Sequence, residues 1–421
     1  MNHLGAAVER DSVWQNRRFL RFWTGSTISQ FGDQITGLAF PLIATTMLHS
    51  SATAVAALTA ALWIPNLFAL PIGTWVDHRP NKRHLLIAAE LIQAAAIATV
   101  PIEHGLGLVT MPLLYASAVL LGLGGVLGGT ASQPFFVRLV SRHQYVQANS
   151  LQSTTQSASG IAGPALGGLL IGAVTAPIAM IIDAVSFLVS ATAITTIPIQ
   201  PSPPDPGTAA ESFPRRLSNG TRYLFDQPYL RVSLGCSTTM NFAAFIIQAL
   251  LVLYASRYLH LPASLIGTAL GLGAIGGLAG AMTAGRLARR IGTGWTITTG
   301  AAPSCAPFAA LPIAGTLIGH TASLVVLLAA IEFLSSLGIM WFDINNNAVR
   351  TIVTDDAMRS RVSGAYSTIN YGIRPLGAVV GGIIATHIGL PATLIGAATL
   401  GTAAILWLIP TATRIQGIEH L

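Results

Sequence analysis

Ser153-Thr-Thr-Gln-Ser-Ala-Ser-Gly-Ile-Ala-Gly-Pro-Ala-Leu-Gly-Gly168 aligns without a gap on Ser367-Thr-Ile-Asn-Tyr-Gly-Ile-Arg-Pro-Leu-Gly-Ala-Val-Val-Gly-Gly382. Each copy opens an apolar stretch, and each stretch is the fifth in its half of the chain. Leu20-Arg21 matches Leu230-Arg231 at nearly the same offset, and Gly73 heads a loop like the one headed by Gly285. The chain therefore reads as a duplication. Around these segments, twelve apolar stretches run over 22–48, 52–76, 84–102, 108–136, 148–174, 176–199, 230–256, 262–287, 294–317, 322–348, 360–387 and 389–411. Crossing a ~30 Å hydrocarbon core takes about 20 helical residues. Lipid cannot satisfy an open backbone edge, so every span is predicted to be a helix. The expected fold is an all-α membrane protein with twelve transmembrane helices in two pseudo-symmetric six-helix bundles. The first bundle covers 1–199 and the second 230–421, with a linker over 200–229.

Composition agrees. Hydrophobic residues make up 52% and charged residues 9% of the chain, against roughly 25% charged in soluble domains. Of the 22 Lys and Arg, all but Arg257 and Arg374 fall in loops or termini on one side. The positive-inside rule then puts both termini in the cytoplasm, which requires an even number of spans. Topology thus explains a pI near 9.9 without a nucleic-acid partner. Trp23, Trp75, Trp295, Trp341 and Trp407 fall near the same side, as interfacial anchors do. The N-terminus is polar to Arg21, and the first apolar run is too long for a cleavable signal, so it is expected to act as an uncleaved span. Cys236 and Cys305 have no metal spacing and read as packing residues. The glycines from Gly122 to Gly129 lie inside a span, where helix packing explains them. With no phosphate loop, neither ATP hydrolysis nor any other enzyme activity is expected, and no cofactor or metal.

The long break opens on Pro201, Pro203, Pro204 and Pro206, an extended run. Phe213 to Asp226 then reads as a short amphipathic helix on the cytoplasmic face.

Charges within a bilayer cost ~2.5–3.5 kcal/mol each on insertion scales and mark function by default. Asp33 lies in mid-span 1, with Gln30 and Gly37 on the same helical face, and is a candidate proton carrier. Glu332 and Asp343 in span 10 are close to three turns apart, so both project from one side. Arg374 in span 11 is expected to need a carboxylate partner, Glu332 first, then Asp343 or Asp33. These four are the proton-coupling candidates. Asn241 and Gln248 share a face of span 7 and join Gln30, Asp33 and Glu332 as substrate-cavity candidates. Glu90 and Asp183 read as packing or capping residues.

Several motifs carry a family resemblance. Arg21-Phe-Trp23 enters span 1, Gln30-Phe-Gly-Asp33 lies within it, and Asp183-Ala-Val-Ser-Phe187 lies in span 6. The loop Gly73-Thr-Trp-Val-Asp77-His-Arg79-Pro-Asn-Lys82-Arg83 follows span 2, and Gly163-Pro164-Ala-Leu-Gly167-Gly168 lies in span 5. Over essentially its whole length the chain resembles major facilitator superfamily transporters. It is most similar to the twelve-span drug:proton antiporter branch that includes macrolide efflux pumps and the enterobactin exporter. The resemblance implies a cytoplasmic latch in which Gly73 lets spans 2 and 11 approach and Asp77 faces the N-terminal end of span 11. Arg79, Lys82, Arg83, Arg359 and Arg361 complete that latch. His78 and Pro80 depart from the usual signature. Gly163, Pro164, Gly167 and Gly168 resemble the motif that marks exporters. A cavity between spans 1, 4, 7 and 10 is implied as well.

The expected function is export of a small, partly apolar compound, of drug or antibiotic class, across the bacterial inner membrane by proton antiport with alternating access. The expected partners are the small-molecule substrate, protons and the lipid bilayer, with the chain a monomer. The alternatives are a dedicated exporter of a siderophore or host-made metabolite and, from another class, a lipid scramblase or membrane sensor.

Overall fold

The computed structural model describes residues 12–198 and 213–409, apart from 316, 318 and 357. Arg10, the run Pro201–Pro206 and Arg414 lie outside the described residues, as does the side chain of Asp77. The described chain is helical throughout. Span 1 is Arg17–Leu42, span 2 Ala52–Val76, span 3 Lys82–Gly105, span 4 Met111–Leu139, span 5 Tyr145–Val174 and span 6 Ala176–Thr195. After a linker helix, Phe213–Asp226, come span 7 at Pro228–Arg257, span 8 at Ala263–Ile291 and span 10 at Thr321–Val353. Span 11 is Arg359–Ile388 and span 12 Leu390–Trp407. Span 9 is broken: Thr293–Cys305 passes through a tighter turn, Ala306–Ala309, into Ala310–Gly315. Pro303 and Pro307 remove backbone donors at that break.

Among the described residues, nine of these helices are long and apolar enough to cross a membrane. The other three are spans 1, 9 and 11. Span 9 is in pieces, span 1 begins with Arg17, Arg18 and Arg21, and span 11 carries Arg359, Arg361 and Arg374. Exposed apolar side chains such as Ile181, Ile182 and Val185 on span 6 stud the outer surface, as a lipid-facing helix requires.

The duplicated segment holds the same place in both halves. A Cβ on Gly163 would lie 2.4 Å from Gln34 of span 1, and one on its repeat partner Gly377 would lie 2.5 Å from the Phe242 carbonyl of span 7. Gly167 abuts Ile35 and Gly381 abuts Ile246 in the same way. Gly168 faces Ala263 and Gly267 of span 8, whereas Gly382 faces Thr53 and Ala56 of span 2. The halves are therefore joined by two equivalent seams, span 5 on span 8 and span 11 on span 2. Without a hydrophobic drive between helices in lipid, such close backbone approach through small residues is what holds a seam. The symmetry reaches the next turn: Thr175 and Gly389 both link their helix hairpins at positive φ, 85° and 88°.

The face carrying the described basic loops is called the basic face, and its opposite the distal face. The glycine contacts of both seams lie in the distal half. There Thr53 Oγ1 donates to the Gly382 carbonyl at 3.0 Å, and Arg257 Nη2 donates to the Thr45 carbonyl at 3.0 Å across the halves. Toward the basic face, spans 2 and 11 meet through leucine tips, Leu67 at Gly372 and Leu70 at Gly364.

Two expectations change here. The linker helix does more than lie along a surface. Leu224 is fully buried, and Gly220 stacks on the backbone of Arg361 at the start of span 11. Trp23 and Trp341 are partly buried and donate to Thr155 and Thr283 of neighbouring helices at 2.9 and 2.8 Å. Trp75, Trp295 and Trp407 remain exposed.

Candidate functional site

Between spans 7, 9, 10 and 11 lies a cavity of about 570 Å³. It runs from mid-bundle toward Asn347 and Arg350 at the basic face. Five of the residues singled out by sequence line it: Asn241, Gln248, Glu332, Asp343 and Arg374. Gln30 and Asp33 do not, because its lining comes wholly from the second half. Of the spans expected to enclose a cavity, 7 and 10 line this one, joined by span 9, whose break brings Ser304, Cys305 and Phe308 to the wall, and by span 11, which presents Tyr366, Asn370, Tyr371 and Arg374.

Arg374 does not pair with a carboxylate, contrary to expectation. No ion pair to it forms among the described residues. Instead its Nε donates to Asn241 Oδ1 at 3.0 Å, while Asn241 Nδ2 donates to Asn370 Oδ1 at 3.1 Å and to the Ser237 carbonyl at 3.0 Å. Aromatic rings surround the guanidinium: Tyr371 at 4.3 Å, Trp63 at 4.6 Å and Phe245 at 4.9 Å from its carbon. A cation over an aromatic face gains about 0.5–2 kcal/mol, and a hydrogen bond to a charged group about 1.5–3 kcal/mol. Together these help to offset desolvation without a contact ion pair, Asp343 acting on Arg374 only from beyond contact. Trp63 belongs to span 2 and meets Phe245 edge-on at 5.0 Å, so the box also ties the two halves together. The aromatics were not singled out in the sequence, although Asn241, Phe245 and Gln248 fall on one helical face and Asn370 and Arg374 are one turn apart.

Glu332 packs its Cβ against Gly273 of span 8, which fixes its depth. Asp343 is exposed to the cavity, with Arg350 and Arg374 as its charged neighbours beyond contact. Near the basic end a buried network holds spans 7, 10 and 11 together. Tyr229 and Ser233 donate to Asn346 Oδ1 at 2.8 and 2.7 Å, and Ser237 bonds the Tyr366 hydroxyl. Arg350 lies 3.8 Å over the Tyr366 ring.

In the first half, Asp183 is fully buried and accepts from Thr36 and, at 3.1 Å, from Ser186. Gly32 leaves the room it occupies. Its neighbour in sequence, Asp33, is exposed.

The latch residues have the following contacts among the described side chains, a set that leaves out Asp77. Gly73 faces Thr130 of span 4, 3.6 Å from where its Cβ would be, and not span 11. Arg83 donates to the carbonyls of Ile194 and Thr195 at the end of span 6, and Arg79 stacks on Trp75 at 4.7 Å. Lys82 bonds the Val76 carbonyl, and Arg359 pairs with Asp356 at 2.7 Å. Arg361 Nη1 reaches Met358 Sδ at 3.6 Å.

The multidrug efflux pump Tap of Mycobacterium tuberculosis (strain ATCC 25618 / H37Rv) is 26% identical over 378 residues, covering 87% of each chain. Among solved structures, a bacterial homologue of the iron transporter ferroportin in its inward-facing state superposes with a TM-score of 0.70 at 19% identity, covering 93% of this chain and 98% of that one. Its outward-facing state gives 0.56 at 17% identity, over 94% and 98%. The family model of the Major Facilitator Superfamily matches residues 22–378. With that match spanning both copies of the duplicated fold, the chain belongs to the Major Facilitator Superfamily and is a membrane transporter, not an enzyme.

Proposed function

We propose that this transporter exports small, partly apolar compounds of drug or antibiotic class across a bacterial inner membrane in exchange for protons. The observation that carries the reading is a cavity with both polar and apolar lining, bearing Glu332, Asp343 and Arg374, that runs to the basic face while the seams close the distal face. With the basic face cytoplasmic, this is the arrangement that loads substrate from inside. Residues 1–199 and 230–421 then rock as two bodies about the seams, joined by 200–229. Asp33, Glu332 and Asp343 are the carboxyls available to take up protons, and Arg374 is poised to respond to their charge. The latch of Gly73, Asp77, Arg79, Lys82, Arg83, Arg359 and Arg361 belongs to the opposite, outward-facing state. The 26% identity to an efflux pump over most of the chain supports the export direction. The protein acts as a monomer with both termini in the cytoplasm.

The test is a panel of compounds assayed in cells with and without the protein. Lower accumulation that disappears with an uncoupler supports proton-driven export. Accumulation unchanged by the protein across the panel, or efflux indifferent to the uncoupler, would overturn it.

A further inference from the structure

The charged groups of the cavity make no contact ion pair among the described residues: Asp343 acts on Arg350 and Arg374 from beyond contact. Arg374 has its faces covered by Tyr371, Trp63 and Phe245 and its Nε taken by Asn241. Its two Nη groups make no hydrogen bond or ion pair with any described residue. They are the edge of the guanidinium that rings cannot cover, and the residue lines the cavity. Glu332 lines the same cavity, accepts no hydrogen bond from a described residue and has no ion pair. In the repeat, the position equivalent to Arg374 in span 5 is Gly160, with nothing within 4 Å of its Cβ direction. The fold thus does not require an arginine at this place.

We infer that the cavity takes amphoteric organic molecules: an aromatic or aliphatic body with an anionic group, carboxylate or its like, that docks on the Nη edge of Arg374, and an amine that docks on Glu332. A carboxylate meets a guanidinium edge through two parallel N–H···O bonds, which gives geometric selection as well as attraction. An ammonium supplies the donors that Glu332 lacks. Phe245, Ile339 and Phe342 line the same cavity and offer apolar surface for the body of the molecule. The proposal rests on this cavity being the transport site.

The experiment measures direct binding to the purified full-length protein in nanodiscs, so it does not depend on transport. The probes are a fluorescent piperazinyl quinolone carboxylic acid, which is a zwitterion, its ethyl ester, which keeps only the cation, and its N-acetyl derivative, which keeps only the anion. The zwitterion should bind at least tenfold more tightly than either derivative. Arg374→Gln should bring the zwitterion down to the affinity of the ester, a loss of tenfold or more, while leaving the ester unchanged. Glu332→Gln should bring the zwitterion down to the affinity of the N-acetyl derivative. Arg374→Lys keeps the charge without the fork and should fall in between, which serves if the glutamine variant folds poorly. Binding of the ester as tight as the zwitterion, an equal loss of all three probes in Arg374→Gln, or no binding of any probe overturns the assignment. Efflux in cells separates the two readings. Uncoupler-sensitive export of singly charged compounds alone would sink the amphoteric class and leave proton-driven export standing; zwitterion binding without uncoupler-sensitive efflux would do the reverse.

Discussion

Gly267→Ala should push the two halves apart on the distal face. Span 8 meets span 5 there with its backbone: a Cβ at Gly267 would lie 2.1 Å from the Pro164 carbonyl oxygen and 2.9 Å from the Gly168 Cα. Real Cβ atoms essentially never come closer than 3.0 Å, so the helices must part by about 0.9 Å at this point. Neither neighbour is a flexible side chain that could swing away. Overpacking of this kind costs about 1–3 kcal/mol, so a shift of ~2 kcal/mol against the distal-closed state would change its population up to about 30-fold. The opposite state, in which this seam is released, should bear little of the cost. Spin labels at Leu106 and Tyr258, both exposed at the distal ends of the two halves, would report a longer distance in the variant by double electron–electron resonance. Substrate binding from the basic side should weaken in parallel. An unchanged distance distribution in a well-folded Gly267→Ala protein would refute the argument that this glycine seam closes the distal face.

Four further outcomes are expected. Asp33→Asn should abolish uncoupler-sensitive efflux while leaving probe affinity in nanodiscs unaltered, since Asp33 stands outside the cavity lining; retained efflux would remove it from coupling. Thr175→Gly should raise thermal stability by about 1–3 kcal/mol, because Thr175 holds φ 85° and ψ 155°, a region close to glycine-only; an unchanged or lower melting temperature would mean the threonine side chain repays that strain. Arg374→Gln and Glu332→Gln should add in stability to within ~0.5 kcal/mol, as non-contacting residues do, and the double variant showing rescue would restore the ion pair that the contacts lack. Trp63→Ala removes one wall of the Arg374 box, worth about 0.5–2 kcal/mol, and should lower the distal-closed population by the same spin-label measurement; no shift would make Trp63 a packing residue only.

Fold and site differed in how far they could be read from sequence. Hydrophobic length and the exclusion of charge from long stretches are one-dimensional properties, and a bilayer converts them directly into helices. All twelve spans were legible for that reason, including span 1, whose Arg17 and Arg18 extend its helix beyond the apolar run. The repeat also carried through, because glycines at fixed spacing let neighbouring helices approach closely: Gly163 and Gly167 meet span 1 as Gly377 and Gly381 meet span 7, and Gly168 and Gly382 each meet a span of the other half. Asn241, Gln248, Glu332, Asp343 and Arg374 were recognisable as candidates because polar groups in a span are costly wherever the helix points, and all five line the cavity.

Partnership was another matter. A buried arginine calls for compensation, and electrostatics alone names a carboxylate. The tertiary structure supplied Asn241 and three rings instead, one of them, Trp63, from the other half of the molecule. Periodicity says which face of a helix a residue occupies, but not which helix faces it. For the same reason Asp183 gained Thr36 of span 1 within a packed interface, and the break in span 9 admitted Phe308 to the cavity. The sequence by itself determined the number of spans, the duplication and the polar positions, since each follows from local chemistry and a uniform solvent. Only the tertiary structure decided which spans enclose the cavity, which face is closed and how Arg374 is held, since those depend on side chains brought together from distant parts of the chain.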